Sequence, residues 1–367
     1  RSSLPCSTLK KSDMKSSRLV SLRHLRLWGV LAVSPALGNE ITLEPPKDDP
    51  VRGIVISCQT WGQEWGTDEM VEAMQEVKAL GANWIQIHPY GAVTREGEIR
   101  MRRMPADLDE APIWLQRPIE EAHKLGLKIC ITPHIAPWRA GWGWRGEITF
   151  DSKAKWNRFF ADYKVWITRL ARLCRDADGF TVGSELDQTL KGNERRWRDI
   201  IAAVRSETDA PLTYSANWPD YQKVPFWDAL DVISLSAYFP MVNHQRVPAP
   251  AELDRTWQRV RGEALAYAHS QNKRIVFMEL GYDVGMNAAR EPWEDGDRRE
   301  GGEELQALLL DRALAAVKEH DDLIGTFLWK WFAGPVRRET FMVSAPHMRE
   351  VVAKHWAEES VDNATDL

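Results

Sequence analysis

From Val51 onward the chain repeats one pattern: a short apolar run, then a stretch with helical periodicity, eight times over. The strand-like runs fall at 53–58, 83–88, 127–133, 179–184, 211–216, 231–238, 274–279 and 324–330. Strands buried on both faces lose the polar/apolar alternation of a half-exposed sheet, so continuous apolar runs separated by helices point to a parallel sheet with helices packed over it. Eight repeats over about 310 residues suit one closed barrel with some enlarged loops, and the predicted class is α/β, a single (β/α)₈ TIM barrel over 51–357. Helix boundaries are marked locally. Thr67-Asp68-Glu69 opens an amphipathic run through Leu80 that Gly81 stops, and a second runs from Ile113 to Leu125 before Gly126. A doubly wound sheet would alternate in the same way, but no glycine-rich phosphate loop follows the first strand.

Composition narrows the ligand. The 48 basic and 53 acidic residues give a net charge of −5 without long runs of one sign, which argues against nucleic acid, a partner that selects for a basic face. Tryptophan is over-used, with 18 against 7 Tyr and 10 Phe, and several lie in loop-like segments. Indole faces stack on the C–H faces of sugar rings, although most tryptophans in a barrel pack its core. The cysteines Cys6, Cys58, Cys130 and Cys174 have neither metal-ligand spacing nor a paired framework and read as free thiols, Cys58 and Cys130 within strands.

Residues 1–50 read as a signal-like segment, tail and linker. From Met14, basic residues lead into the apolar stretch Leu27 to Val33 and the small-residue run Ser34 to Gly38, and prolines follow at 45, 46 and 50. The apolar part is too short to span a bilayer, so no stable membrane insertion is expected. This implies a secreted or periplasmic protein; the competing reading is an ordinary polar tail on a cytoplasmic one. Residues 358–367 read as a polar tail. Oligomeric state is not encoded in any pattern here.

The chemistry is carried by two glutamates. Glu185 ends the run Phe180 to Ser184, and Glu279 ends Ile275 to Met278. A carboxylate after a buried strand is tolerable where the strand leaves the core, and in a barrel the carboxyl ends of the strands form the active-site face. Two carboxylates at such exits are what glycosidic cleavage needs, one as proton donor and one as nucleophile or base. The other exits are also polar or aromatic: Trp61; His88 and Tyr90; His134, Trp138, Trp142 and Trp144; Asp187 beside Glu185; Asn217 and Trp218; Tyr238; Tyr282; and Trp329 to Trp331. Each glutamate taken singly also fits a rim salt bridge to an arginine, and Asp187 is a weaker rival acid. Asp231 reads as a strand-boundary residue. His88 and His134 could hold a metal with a carboxylate, but no His-x-x-x-His or Cys/His cluster supports that, and neither metal nor cofactor is expected. Trp329 is the expected platform under the reacting sugar. Alternation along the strand predicts that Trp331 shares its face and Lys330 takes the other. Trp61, Trp138, Trp218 and Trp293 are candidate walls of further sugar subsites.

With those residues in view, the chain resembles glycoside hydrolase family 113. The resemblance rests on Gly81-Ala82-Asn83-Trp84, Pro133-His134, Trp144-Arg145-Gly146, Trp156 with Phe159-Phe160 and Tyr163, and Gly183-Ser184-Glu185-Leu186. It continues through Thr213 to Trp218, Ala237-Tyr238-Phe239-Pro240, and Glu279-Leu280-Gly281-Tyr282 with Pro292-Trp293. It implies a (β/α)₈ retaining β-mannan hydrolase with Glu185 as acid/base and Glu279 as nucleophile, acting on an oligo- or polysaccharide. One departure stands out: many members of the wider clan carry Asn before the acid/base where this chain has Ser184, and Asn217 is the candidate to hold the sugar's 2-hydroxyl instead.

The residues alone set further expectations. Glu185 needs a raised pKa to donate a proton near neutrality, whereas Glu279 must stay ionised, helped by a hydrogen bond from Tyr238. Retention requires the two carboxyl groups to stand about 5–5.5 Å apart. The same mechanism on a β-glucan, xylan or galactan, and a carbohydrate-binding barrel without catalysis, are the alternatives.

Overall fold

The computed structural model describes residues 50–357, except 102–103, 105–109, 295–297, 319–321 and 337–338. The signal-like segment, Cys6 and the 358–367 tail lie outside the described residues. In chain order the strands are β1 (Val51–Ser57), β2 (Trp84–Ile87), β3 (Tyr90–Val93), β4 (Ile99–Arg100), β5 (Lys128–Ile131), β6 (His134–Ala136), β7 (Gly179–Ser184), β8 (Leu212–Asn217), β9 (Ile233–Ser236), β10 (Ile275–Leu280) and β11 (Leu323–Phe332). The helices are α1 (Asp68–Ala79), α2 (Ile113–Lys124), α3 (Lys153–Leu173), α4 (Asp187–Leu190), α5 (Glu194–Arg205), α6 (Pro250–Ser270), α7 (Gly302–Lys318) and α8 (Pro346–Trp356).

Eight strands close into a barrel in the order β1-β2-β5-β7-β8-β9-β10-β11, with every neighbouring pair parallel. Each of the eight predicted strand runs overlaps one of these strands. Strand alternation divides the core in two. Outward residues such as Ile54 and Ile56 join the large layer beneath the helices, while Val55, Cys130, Val276, Met278 and Phe327 form a separate apolar plug inside the barrel. Toward the carboxyl ends, the interior turns to small hydroxyls. Thr132 contacts Thr181 at 3.0 Å, Thr213 donates to Ser234 at 2.9 Å, and Ser215 contacts Ser236 at 3.3 Å. These buried polar groups satisfy one another and so make a polar floor tolerable there.

The helix signals hold as well: α1 is followed by Gly81 and α2 by Gly126, both with positive φ. Three short strands lie outside the barrel. β3 pairs antiparallel with β4 and parallel with β6, so the loops after the second and third barrel strands join into a small sheet at the mouth. Cys58 falls one residue past β1 rather than within it, because the strand ends at Ser57 where the chain turns through Trp61 and Gly62, both at positive φ. Cys58, Cys130 and Cys174 are free thiols, and burial pushes each up to about 12. Asp231 is a boundary residue as expected: its carboxylate accepts from the Leu212 backbone and from Arg205. Among the described residues no helix is long and apolar enough to cross a membrane.

Candidate active site

Glu185 directly follows β7 and Glu279 is the fifth residue of β10, the fourth and seventh strands of the barrel. Register breaks precede both. Thr181 pairs with Thr213 but Ser184 pairs with Ser215, and Phe277 pairs with Leu235 but Glu279 pairs with Ser236, so each glutamate follows one extra residue on its own strand. Such a bulge re-aims the next side chain, which is how a carboxylate leaves the alternation of a buried strand.

Glu185 sits at φ 49°, a left-handed conformation unusual for a residue other than glycine. The turn is fixed on both sides: the Glu185 N–H donates to Ser215 O at 2.8 Å, and the Leu186 N–H donates to the Tyr214 hydroxyl at 2.7 Å. Trp144 Nε1 donates to Glu185 Oε2 at 2.8 Å. Gly146 makes that contact sterically accessible, since a Cβ there would lie 2.0 Å from the Trp144 ring. Arg145 Nη1 stands 3.4 Å from both Glu185 Oε2 and Ser184 Oγ. An arginine therefore does meet Glu185, as the rim salt-bridge reading expected, but a largely buried one whose charge is also favoured by Glu279.

Glu279 is 4 % exposed, and its Oε2 accepts from the Tyr238 hydroxyl at 3.0 Å. Its Oε1 lies 3.4 Å from His134 Nε2. This contact is not an ion pair, because burial together with Arg145 and Lys330 holds the His134 imidazole well below its ordinary pKa and so neutral. Nor are the two atoms aligned for a hydrogen bond.

Both carboxyls are pushed up. For Glu185 burial is the largest cause; Arg145 opposes it, the charge of Glu279 adds to it, and Trp144 and Ser236 oppose it by hydrogen bonding. Burial also raises Glu279, against Arg145, the Tyr238 hydrogen bond and Lys330. Arg145 stays charged, its burial more than offset by the two glutamates. Asp187 begins α4, accepts from Asn217 Nδ2 at 3.3 Å, and is raised to about 7 by burial and by Glu185.

The other expected residues divide into three groups. His88, His134 and Trp329 form one stack beside Glu279, with His88 and His134 4.9 Å apart at 20° and Trp329 6.1 Å from His134 at 26°. His88 is buried, held well below its ordinary pKa by burial and then by His134, Lys330 and Arg145, and its Nε2 meets Ser57 Oγ at 3.0 Å. Trp61 and Trp138 stand edge-on to Tyr90 on the side of the first three barrel loops. Trp218 and Trp293 stack at 6.0 Å and 20° in the loops after β8 and β10, with Trp293 45 % exposed. Asn217 Nδ2 donates to Asp187 at 3.3 Å, which fixes the amide at the end of β8.

The expected shared face of Trp329 and Trp331 is a correction. Ile54 pairs with Leu328 but Ile56 with Trp331, so β11 carries an extra residue between them and the alternation is reset. Trp329 turns to the interior against the plug, while Trp331 packs in the outer core with Arg349 of α8 over its ring at 5.0 Å. Sequence reasoning put Trp144 at a strand exit without giving it a role, and left Arg145 and Ser236 out of the site. The adjacent Trp-Arg-Gly was the available signal for the first two, since a glycine beside an indole permits the close fold-back seen here. Nothing local marks Ser236. Among the described residues, no three His, Cys, Asp or Glu side chains group as metal ligands.

The family model described as Glycoside Hydrolase Family 113 matches residues 57–342. The chain belongs to that family. It is a glycoside hydrolase, and its barrel is the family's (β/α)₈ fold. Among solved structures, a family 113 β-mannanase from Alicyclobacillus acidocaldarius, in complex with ManMIm, is 25% identical with a TM-score of 0.72, covering 85% of this chain and 98% of that one. A family 113 β-1,4-mannanase, also solved as a complex, is 20% identical with a TM-score of 0.71, over 84% and 99%. A Ruminococcus gnavus β-glucuronidase shares the fold at 13% identity and a TM-score of 0.55, over 84% of this chain and 50% of its own. No curated protein matches the chain.

Proposed function

We propose that this family 113 chain hydrolyses β-linked mannan or manno-oligosaccharides with retention, Glu185 acting as acid/base and Glu279 as nucleophile. The carrying observation is that the two carboxyls leave the ends of the fourth and seventh barrel strands, Glu185 with Trp144 and Arg145 on it and Glu279 with the Tyr238 hydroxyl on it. Glu279 is held by a tyrosine hydroxyl that favours its charged form, and its negative charge in turn raises Glu185. The β-mannanase names of the related structures support mannan as the substrate.

In the first step Glu185 passes its proton to the glycosidic oxygen while Glu279 Oε1, which makes no hydrogen bond among the described residues, attacks the anomeric carbon. The C–O bond to the leaving sugar breaks and a glycosyl ester forms on Glu279. Glu185 is now a carboxylate, and with the Glu279 charge lost to the ester its pKa falls, so it stays ionised and acts as the base that takes a proton from the attacking water. Water attacks the same carbon, the ester breaks, and the β configuration is restored. Arg145, paired with Glu185 and within the field of Glu279, stabilises the negative charge that moves from one to the other. Trp329, stacked on His134, is the platform for the reacting ring. The signal-like segment fits export toward a polymeric substrate, and fractionation of the producing cells tests that part.

Product stereochemistry tests the reaction. Proton NMR of early hydrolysis should show the β-anomer first; the α-anomer would sink the covalent step. Glu279→Ala should abolish turnover while leaving oligosaccharide binding measurable. Retained turnover would remove Glu279 from the reaction.

A further inference from the structure

Two cavities adjoin at the mouth on the side of the first three barrel loops. One, of about 250 Å³, is walled by Trp61, Tyr90 and Trp138. Its neighbour, of about 140 Å³, is lined by Arg95, Arg100, Thr94 and Ala140 among others, and Arg139 belongs to both. The first lies one residue away from the reaction centre: the Tyr90 ring is 5.8 Å from His134, which touches Glu279. Among the described residues no acidic one lines either cavity.

The charge there is largely uncompensated. Arg100 is paired with Glu98 at 3.3 Å. Arg95 donates to Gly141 O at 3.2 Å and lies over Trp142, and Arg139 lies over Trp61 at 5.9 Å; neither pairs with a carboxylate among the described residues. The two edge-on indoles and Tyr90 make a sugar-sized aromatic wall, which would bind a neutral unit equally well without the arginines. Guanidinium groups suit planar bidentate acceptors such as carboxylates. Resting on the mannan reading above, we infer that this double cavity is a subsite for a carboxylate-bearing sugar, so that the favoured substrate is a mannan carrying uronic acid units rather than a neutral one. The sugar ring lies in the aromatic cavity, and its carboxylate reaches past Arg139 toward Arg95.

The test compares a neutral manno-oligosaccharide with one of equal length carrying a single glucuronic acid unit. kcat/KM should favour the charged substrate by roughly three- to tenfold at low salt, the range for partly exposed charge-assisted bonds, and the preference should shrink at about 1 M salt. Arg139→Ala and Arg95→Ala should each move the charged-to-neutral ratio toward one, and Arg139→Lys should restore part of it. Binding to the Glu279→Gln protein, by calorimetry, should show the same ratio without turnover. A ratio of one, or a ratio that neither alanine variant moves, overturns the anionic subsite and leaves the glycosidase reading standing. Failure to bind or cleave either oligosaccharide overturns both.

Discussion

The Tyr238 hydroxyl donates to Glu279 Oε2 at 3.0 Å across the gap between the sixth and seventh barrel strands. The bond favours the charged carboxylate and so lowers its pKa against the burial that raises it. Tyr238→Phe should therefore raise the Glu279 pKa and shift the acidic limb of the kcat/KM profile to higher pH. Hydrogen bonds to charged groups are worth about 1.5–3 kcal/mol, so activity at neutral pH should fall roughly 10- to 100-fold. A pH–rate profile with an unmoved acidic limb would show that Tyr238 does not set the charge of Glu279.

The same burial makes the site a stability liability. A carboxyl whose folded pKa lies above its ordinary value of 4.5 binds its proton more tightly folded than unfolded. It carries no penalty below the unfolded pKa and destabilises increasingly as pH rises from there through the folded pKa. Glu279→Gln should thus raise the melting temperature at neutral pH by about 2 °C or more, with the gain vanishing below about pH 4. Thermal melts at pH 3.5 and 7.5 measure both arms.

Asp187, raised to about 7, is the one nearby group that could be mistaken for the proton donor. Glu185 is the better placed acid, because it directly follows the fourth barrel strand while Asp187 lies two residues on, at the start of α4. Glu185→Gln should lower kcat on a substrate with a poor leaving group by about 10²- to 10⁴-fold, as expected for losing a general acid. Asp187→Asn should lose less than about tenfold. Substrates with good leaving groups should narrow the first loss, and the reverse ranking of the two variants would reassign the acid.

Gly281, two residues past Glu279, has Trp329 against it: a Cβ there would sit 2.4 Å from Trp329 O and 3.1 Å from Trp329 Cβ. Gly281→Ala must displace the strand that carries the stacking tryptophan. An overpacked core position costs about 1–3 kcal/mol, so the variant should melt lower and lose kcat more than a surface change of equal size. Full activity would mean that Trp329 need not be held there.

The family's barrel was written in the chain to an unusual depth, because a strand buried on both faces cannot hide its apolar run and a helix beside it must end on a marked residue such as Gly81 or Gly126. The positions of Glu185 and Glu279 were legible for the same reason: a charge at the end of a buried strand has only one place to go. What sequence alone could not decide was orientation around the strands. One extra residue in β11 separated Trp329 from Trp331, and extra residues in β7 and β10 turned the two glutamates inward; a register shift leaves no mark in composition or periodicity. Arg145 was hidden for a related reason. Its charge is tolerable in the interior because Glu185 pairs with it and the charge of Glu279 adds to that, and those two strands come together only once the barrel has closed.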